Sequence, residues 1–248
     1  MLLIFEKTMN ITGYLASILI GISLGLIGGG GSILTVPVLV YLFRIDAVLA
    51  TVYSLFIVGA TSILGSLSYF RKNFVNVRMA IVFGIPSIIA VFLTKTYFVP
   101  AIPQEILNIG NFSVTKNMML MLLFSTLMIF ASYSMIKKGN EPAEVIQAAS
   151  FNYPLVFFHG VFVGVVTGLI GAGGGFLIIP ALVNLLKLPM KIAVGTSLLI
   201  IAVNSLAGFL LSLPHATINW TFLLSISLIA VVGILIGSYI STKVNSLK

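Results

Sequence analysis

Gly25-Leu26-Ile27-Gly28-Gly29-Gly30-Gly31-Ser32-Ile33-Leu34-Thr35-Val36-Pro37 stands inside an apolar run that begins at Ile11 and meets no charge until Arg44. The pattern returns as Gly168-Leu169-Ile170-Gly171-Ala172-Gly173-Gly174-Gly175-Phe176-Leu177-Ile178-Ile179-Pro180, again inside an apolar run. Glycine disfavours helix by about 1 kcal/mol per residue relative to alanine. Four in a row at membrane depth open the helix and leave N–H and C=O groups that hydrocarbon cannot satisfy. Such backbone is tolerated only where protein covers it or where it lines a cavity. Two breaks in corresponding positions point to a binding site of the transporter kind.

Composition fits that reading. The chain has 248 residues, 59% of them hydrophobic and 7% charged, with a mean hydropathy of +1.20. A soluble domain carries about a quarter of its residues charged. Several apolar stretches reach the roughly 20 residues needed to cross a bilayer. They are continuous rather than alternating, which argues against a β-barrel. The net charge of +8 comes from single or paired basic residues between apolar runs. That is the pattern of cytoplasmic flanks, without the clustered patch nucleic acid needs, so no nucleic-acid partner is expected. Cysteine is absent, which excludes disulfides, thiolate metal sites and cysteine catalysis. Glu6 stands where a signal peptide would be positive, so the N-terminal stretch is expected to be retained.

The first apolar run, Ile11 to Phe43, would be about 50 Å long as one helix. Fitting it into a roughly 30 Å core would need more tilt than the usual range of about 0–40°. Two helical pieces joined at the glycines are expected instead. Proline is tolerated in a first helical turn, so Pro37 places the start of the second piece between Ile33 and Val36. Ala47 to Tyr69 reads as the next span, with Asp46 as its N-cap. Val77 to about Phe98 follows, with a kink expected at Gly84 and Pro86. Val99 to Thr115 reads as an extramembrane loop and Asn117 to Ile136 as a fourth span. Leu155 to Leu186 is the second long run, and Met190 to Leu213 and Ile218 to Thr242 complete the set. Trp220 and Tyr239 are the interfacial anchors expected of aromatic residues.

A shift of 143 residues, which lays Gly25 on Gly168, aligns the two halves without a gap. Gly28, Gly30, Gly31, Leu34 and Pro37 fall on Gly171, Gly173, Gly174, Leu177 and Pro180. Ala50, Ser54, Leu55, Ser62, Gly65 and Asn76 fall on Ala193, Ser197, Leu198, Ser205, Gly208 and Asn219. Charge then chooses between two topologies. If each long run crosses once, the basic residues divide six against seven and specify no orientation. If each run folds back at its glycines, Lys7, Arg44, Lys95 and Lys116 oppose the other nine. Only the second arrangement obeys the positive-inside rule.

The expected fold is therefore an all-α polytopic membrane protein of two inverted structural repeats. Each repeat opens with a glycine-broken helical hairpin followed by membrane-spanning helices. Repeat one covers 11–136, a polar linker 137–154 and repeat two 155–242, all within one domain, 1–248. The N-terminus lies outside and the C-terminus in the cytoplasm of a multi-pass cell-membrane protein.

A tandem of G-L-I-G-x-G-G-(S/G)-x-L-x-x-P motifs, one per half of a small cysteine-free membrane protein, resembles the sulfite exporter TauE/SafE family. The resemblance covers essentially the whole chain. It implies a permease that moves sulfite, sulfonates or related organosulfur anions. It carries over the motif positions Gly28, Gly30, Gly31 and Pro37 and their counterparts Gly171, Gly173, Gly174 and Pro180, where Ala172 replaces the glycine at 29.

The residues themselves suit an anion. A helix N-terminus presents free N–H groups and about half a positive charge. Two helices starting after the breaks would aim such groups at one small anionic substrate. Gly175, Ser32, Thr35, Ser54, Thr196 and Ser197 join the glycines as substrate-binding candidates, and Thr61, Ser62, Asn204 and Ser205 are further donors. Gly, Ser and Thr in membrane helices also serve close packing. Lys and Arg are placed only near the ends of the predicted spans, so the attraction is expected to rest on backbone and hydroxyls. His159 lies in a membrane helix and is the candidate for proton coupling, against a packing role. Arg44 and Asp46 are expected to form a local ion pair. No metal site, cofactor or Walker motif is seen, and the spans lack the clustered carboxylates or histidines of an enzyme. The rival readings are an anion channel and a non-enzymatic accessory or scaffold subunit. The lipid bilayer is the other partner, with a homo-oligomer left open.

Overall fold

A computed structural model describes residues 2–27, 32–109, 112–137, 153–170, 173–186 and 188–243 of the chain. Apolar sequence becomes helix almost throughout, because backbone away from water must pair its own N–H and C=O groups. α1 covers Leu2–Ile27, and α2 covers Ser32–Pro37 before widening into a π turn at Val38–Leu42. α3 is Ala47–Phe70. α4, Val77–Leu93, passes through a π turn at Thr94–Phe98 into the single turn α5, Val99–Ala101. α6 is Lys116–Lys137, α7 Tyr153–Ile170 and α8 Gly175–Leu186. α9, Met190–Ser212, and α10, Trp220–Lys243, complete the helices. The protein is an all-α polytopic membrane protein. Among the described residues, four helices are long and apolar enough to cross a membrane: Ala47–Phe70, Val77–Ala101, Met190–His215 and Trp220–Ser241.

Asp46 caps α3 as its sequence suggests, its Oδ1 accepting from the N–H groups of Val48 at 2.9 Å and Leu49 at 3.4 Å. Such a cap contributes about 1 kcal/mol. The ion pair expected with Arg44 does not form. The second Asp46 oxygen accepts instead from Asn117 Nδ2 at 2.6 Å, while Arg44 sits in the left-handed region at φ 53°.

Two further expectations are corrected. α2 begins at Ser32, one residue ahead of the window inferred from Pro37, which occupies the sixth helical position rather than the first turn. Pro180 takes the same position in α8. A proline there offers no N–H to the carbonyl four residues back. In the first half the helix widens into its π turn directly after Pro37, while α8 continues unbroken. Pro86 lies inside the continuous helix Val77–Leu93, which widens into a π turn at Thr94–Phe98. The stretch expected as loop also holds an antiparallel hairpin, β1 (Glu105–Ile109) on β2 (Phe112–Thr115), with a bulge between Glu105 and Leu107.

Both long runs turn back on themselves. The Phe43 ring lies against Gly13, with its centre 5.9 Å from that of Tyr14. In the second run, Val156 near the start of α7 and Leu188 just beyond α8 share a buried cluster with Met79 and Ala80.

α3 and α9 cross at the centre, 67% of each span buried, against 44% for α10. α1 lies along α10, and α7 lies along α4. These outer pairs meet backbone to backbone. A Cβ at Gly21 would strike the carbonyl oxygen of Ala230, and one at Gly164 that of Ser87. Small residues permit such approach, and dispersion across it holds helices together where lipid offers no hydrophobic drive. The outward faces, such as Ile81, Ile85 and Ile89 of α4 or Leu224, Leu228 and Val232 of α10, are apolar and exposed, as a lipid-facing surface requires.

Candidate functional site

The second break is held open by two glycines with positive φ, Gly173 at 69° and Gly174 at 68°. Only glycine takes this conformation without strain, so the motif is needed here for backbone geometry. A turn at these residues lets α8 begin at Gly175, with the amides of Leu177 and Ile178 both donating to the Gly174 carbonyl. The break also lies tight against its neighbours. A Cβ on Gly173 would sit 2.7 Å from Ser205 Oγ and 2.8 Å from Val58 Cγ1, beside the middle of α9 and α3. One on Gly174 would strike Thr167 Oγ1. The first break leads into α2 at Ser32, which is fully buried, and α2 packs against α3 and α8. Gly28, Gly30, Gly31 and Gly171 lie outside the described residues.

Among the described residues the structure also buries polar atoms that have no partner. Thr35 Oγ1, Ser62 Oγ, Thr94 Oγ1, Thr167 Oγ1, Asn204 Oδ1 and Ser205 Oγ are all buried without a hydrogen bond. An unsatisfied buried polar group costs about 1–3 kcal/mol. Native structures seldom tolerate several together unless they serve a ligand, an ion or water. Two of them flank the second break directly, Ser205 beside Gly173 and Thr167 beside Gly174, and Thr94 lies against Gly168 in the last turn of α7. Asn204 is held by its amide, which donates to Ser87 Oγ at 2.6 Å and leaves Oδ1 free.

Other candidates are already engaged. The Ser197 hydroxyl donates to the Val194 carbonyl at 2.8 Å, and Ser54 to that of Thr51 at 3.0 Å, each within its own helix. Thr61 bonds back to Ile57 at 2.7 Å. Thr196 Oγ1 accepts the Asn76 amide at 2.9 Å, tying the start of α9 to the turn before α4. His159 is half-buried, with Nδ1 2.9 Å from the Leu155 carbonyl of its own helix. It stands about 16 Å along α7 from Ile170, where the break begins.

Sequence reasoning missed Thr94 and Thr167. The repeat register pairs them with Gly237 and Leu24, so no symmetry signal marks either one. It also missed Lys95. That side chain was assigned to the flank, yet it lies inside the helical crossing Val77–Ala101 and is only 9% exposed.

A glycine break at the crossing of two central helices, ringed by unpaired hydroxyls, suits a small polar solute in transit. A family model described as Sulfite exporter TauE/SafE matches residues 14–248. The chain belongs to the sulfite exporter TauE/SafE family. Within reach of this family member stand proteins whose printed names call them probable membrane transporters. One from Xylella fastidiosa (strain Temecula1) is 28% identical over 233 residues, covering 93% of this chain and 84% of that one. YunE and YdhB of Bacillus subtilis are each 28% identical, covering 89% and 94% of this chain and 84% and 89% of their own lengths. No solved structure matches. Family and relatives together make this TauE/SafE member a membrane transporter.

Proposed function

We propose that the protein is a secondary permease for small sulfur-containing anions such as sulfite or organosulfonates, bound mid-membrane between the two glycine breaks. The observation that carries the reading is the ring of unpartnered buried polar atoms at the breaks. Ser62, Thr94, Thr167 and Ser205 each offer a hydroxyl proton to an anion. The starts of α8 and of the continuous helical segment Ser32–Leu42 add the partial positive charge of helix N-termini. The family name supplies the class of anion, and the transporter names of the relatives speak against an enzyme.

We further read the two halves as inverted repeats, because the shift of 143 residues superposes contacts as well as residues. Gly21 on the Ala230 carbonyl corresponds to Gly164 on that of Ser87. The Asn76 amide donating to Thr196 at 2.9 Å corresponds to the Asn219 amide donating to Tyr53 at 2.8 Å. Gly65 beside Leu198 corresponds to Gly208 beside Leu55. On this reading, corresponding helices of the two halves run in opposite senses across the membrane. Such repeats give a transporter two related packings of the same contacts, one open to each side. The charge count sets the orientation, with the end holding Arg71, Lys72, Arg78 and Lys191 in the cytoplasm.

Thermal-shift titration of the purified protein against sulfite, sulfate, thiosulfate and sulfonates tests this reading. Saturable stabilisation by sulfite or a sulfonate, greater than that by chloride at equal ionic strength, is expected. No stabilisation by any sulfur anion would remove the substrate assignment.

A further inference from the structure

At the end of the molecule away from Arg71 lies a cavity of about 570 Å³, in the size range of small-ligand pockets. Its outer wall includes the exposed residues Gln104, His215 and Thr217, and its depth reaches Lys95 and Lys116, 9% and 6% exposed. Lys116 Nζ donates to the Val99 carbonyl at 2.6 Å. Among the described residues, Lys95 makes no hydrogen bond and no ion pair. Asp46 also lines the cavity, but its carboxylate is occupied by the α3 cap and by Asn117. A desolvated ammonium without a counter-charge is costly, and a second one on the same wall adds repulsion. An anion bound in the cavity would offset that cost.

We propose that this cavity is an anion-binding antechamber, in which Lys95 and Lys116 together hold a small oxyanion between the outer surface and the second glycine break. Position favours that route. Thr94, the residue before Lys95, packs its side chain on Gly168 with its hydroxyl unpartnered. Ser212 on the cavity wall is about 10 Å along α9 from Ser205 at the break. The lysines supply the long-range attraction that the hydroxyl-lined centre lacks, and their distance from the break leaves release inward unhindered. That the captured ion is also the transported one rests on the permease reading; its capture by the lysines does not.

The test uses isothermal titration of sodium sulfite into the purified full-length protein at fixed ionic strength, paired with sulfite uptake into proteoliposomes. Lys95→Gln is expected to weaken sulfite binding about tenfold or more, as loss of a charge-assisted partner does. Lys95→Arg keeps the charge, so its affinity is expected to stay within about threefold of wild type. Equal binding by wild type and Lys95→Gln, in a variant that still elutes as a folded species, overturns the antechamber. So does displacement of sulfite from Lys95 by short-chain phosphatidylglycerol at lower concentration, which marks a lipid-headgroup site. If Lys95-dependent binding is seen but wild-type vesicles take up no sulfite, the antechamber stands and the permease reading falls. If uptake is normal and binding ignores Lys95, the reverse holds.

Discussion

Ser205 and Ser197 stand two turns apart on α9, and the structure separates their roles. Ser205 Oγ is buried, unpartnered and beside Gly173, whereas Ser197 returns its proton to its own helix. Ser205→Ala is expected to raise the half-saturating anion concentration about tenfold, the loss of one charge-assisted hydrogen bond of roughly 1.5 kcal/mol. Ser62→Ala should do the same. Ser197→Ala should stay within about twofold, because it removes a bond within its own helix. Uptake kinetics of the three variants decide the matter, and a larger effect at Ser197 than at Ser205 would move the site toward the start of α9. From sequence, Ser54 and Ser197 are preferred over Ser62 and Ser205, since spacing and symmetry do not report which hydroxyls bond back to their own helix. Lys95 was illegible for a related reason. A lysine near the end of an apolar span ordinarily reaches for the interface, and only the fold shows this one turned into a cavity.

Among the elements, the glycine breaks were the most legible feature, because consecutive glycines flanked by apolar residues have few other uses in a membrane helix. Pro37 misled about where its helix begins, since the freed carbonyl is tolerated deeper than a first turn. Gly173→Leu is expected to abolish uptake while the protein still reaches the membrane, because it combines strain at φ 69° with a side chain aimed at Ser205 and Val58. Full uptake by this variant would make the break a packing device. The helix pairs respond differently. Gly164→Val drives a branched side chain into the Ser87 carbonyl, and overpacking of this kind costs about 1–3 kcal/mol or more. A lowered melting temperature is expected, and an unchanged one would show that α7 and α4 can separate without loss.

For the molecule as a whole, the count of basic residues foresaw hairpins in place of single long crossings, and Phe43 lying on Gly13 agrees with that arrangement. The orientation proposed from the same count can be read directly. In this cysteine-free chain, Gln104→Cys is expected to react with an impermeant thiol reagent added outside intact cells, and Asn73→Cys only after permeabilisation. The opposite pattern would invert the protein in the membrane. The central claim is carriage of a sulfur anion through the glycine breaks, and counterflow tests it most directly. Proteoliposomes preloaded with unlabelled sulfite should accumulate radiolabelled sulfite transiently and saturably with wild-type protein, and should not do so with Gly173→Leu. Uptake that rises linearly with concentration and shows no counterflow, or uptake no greater than in protein-free vesicles, would contradict it.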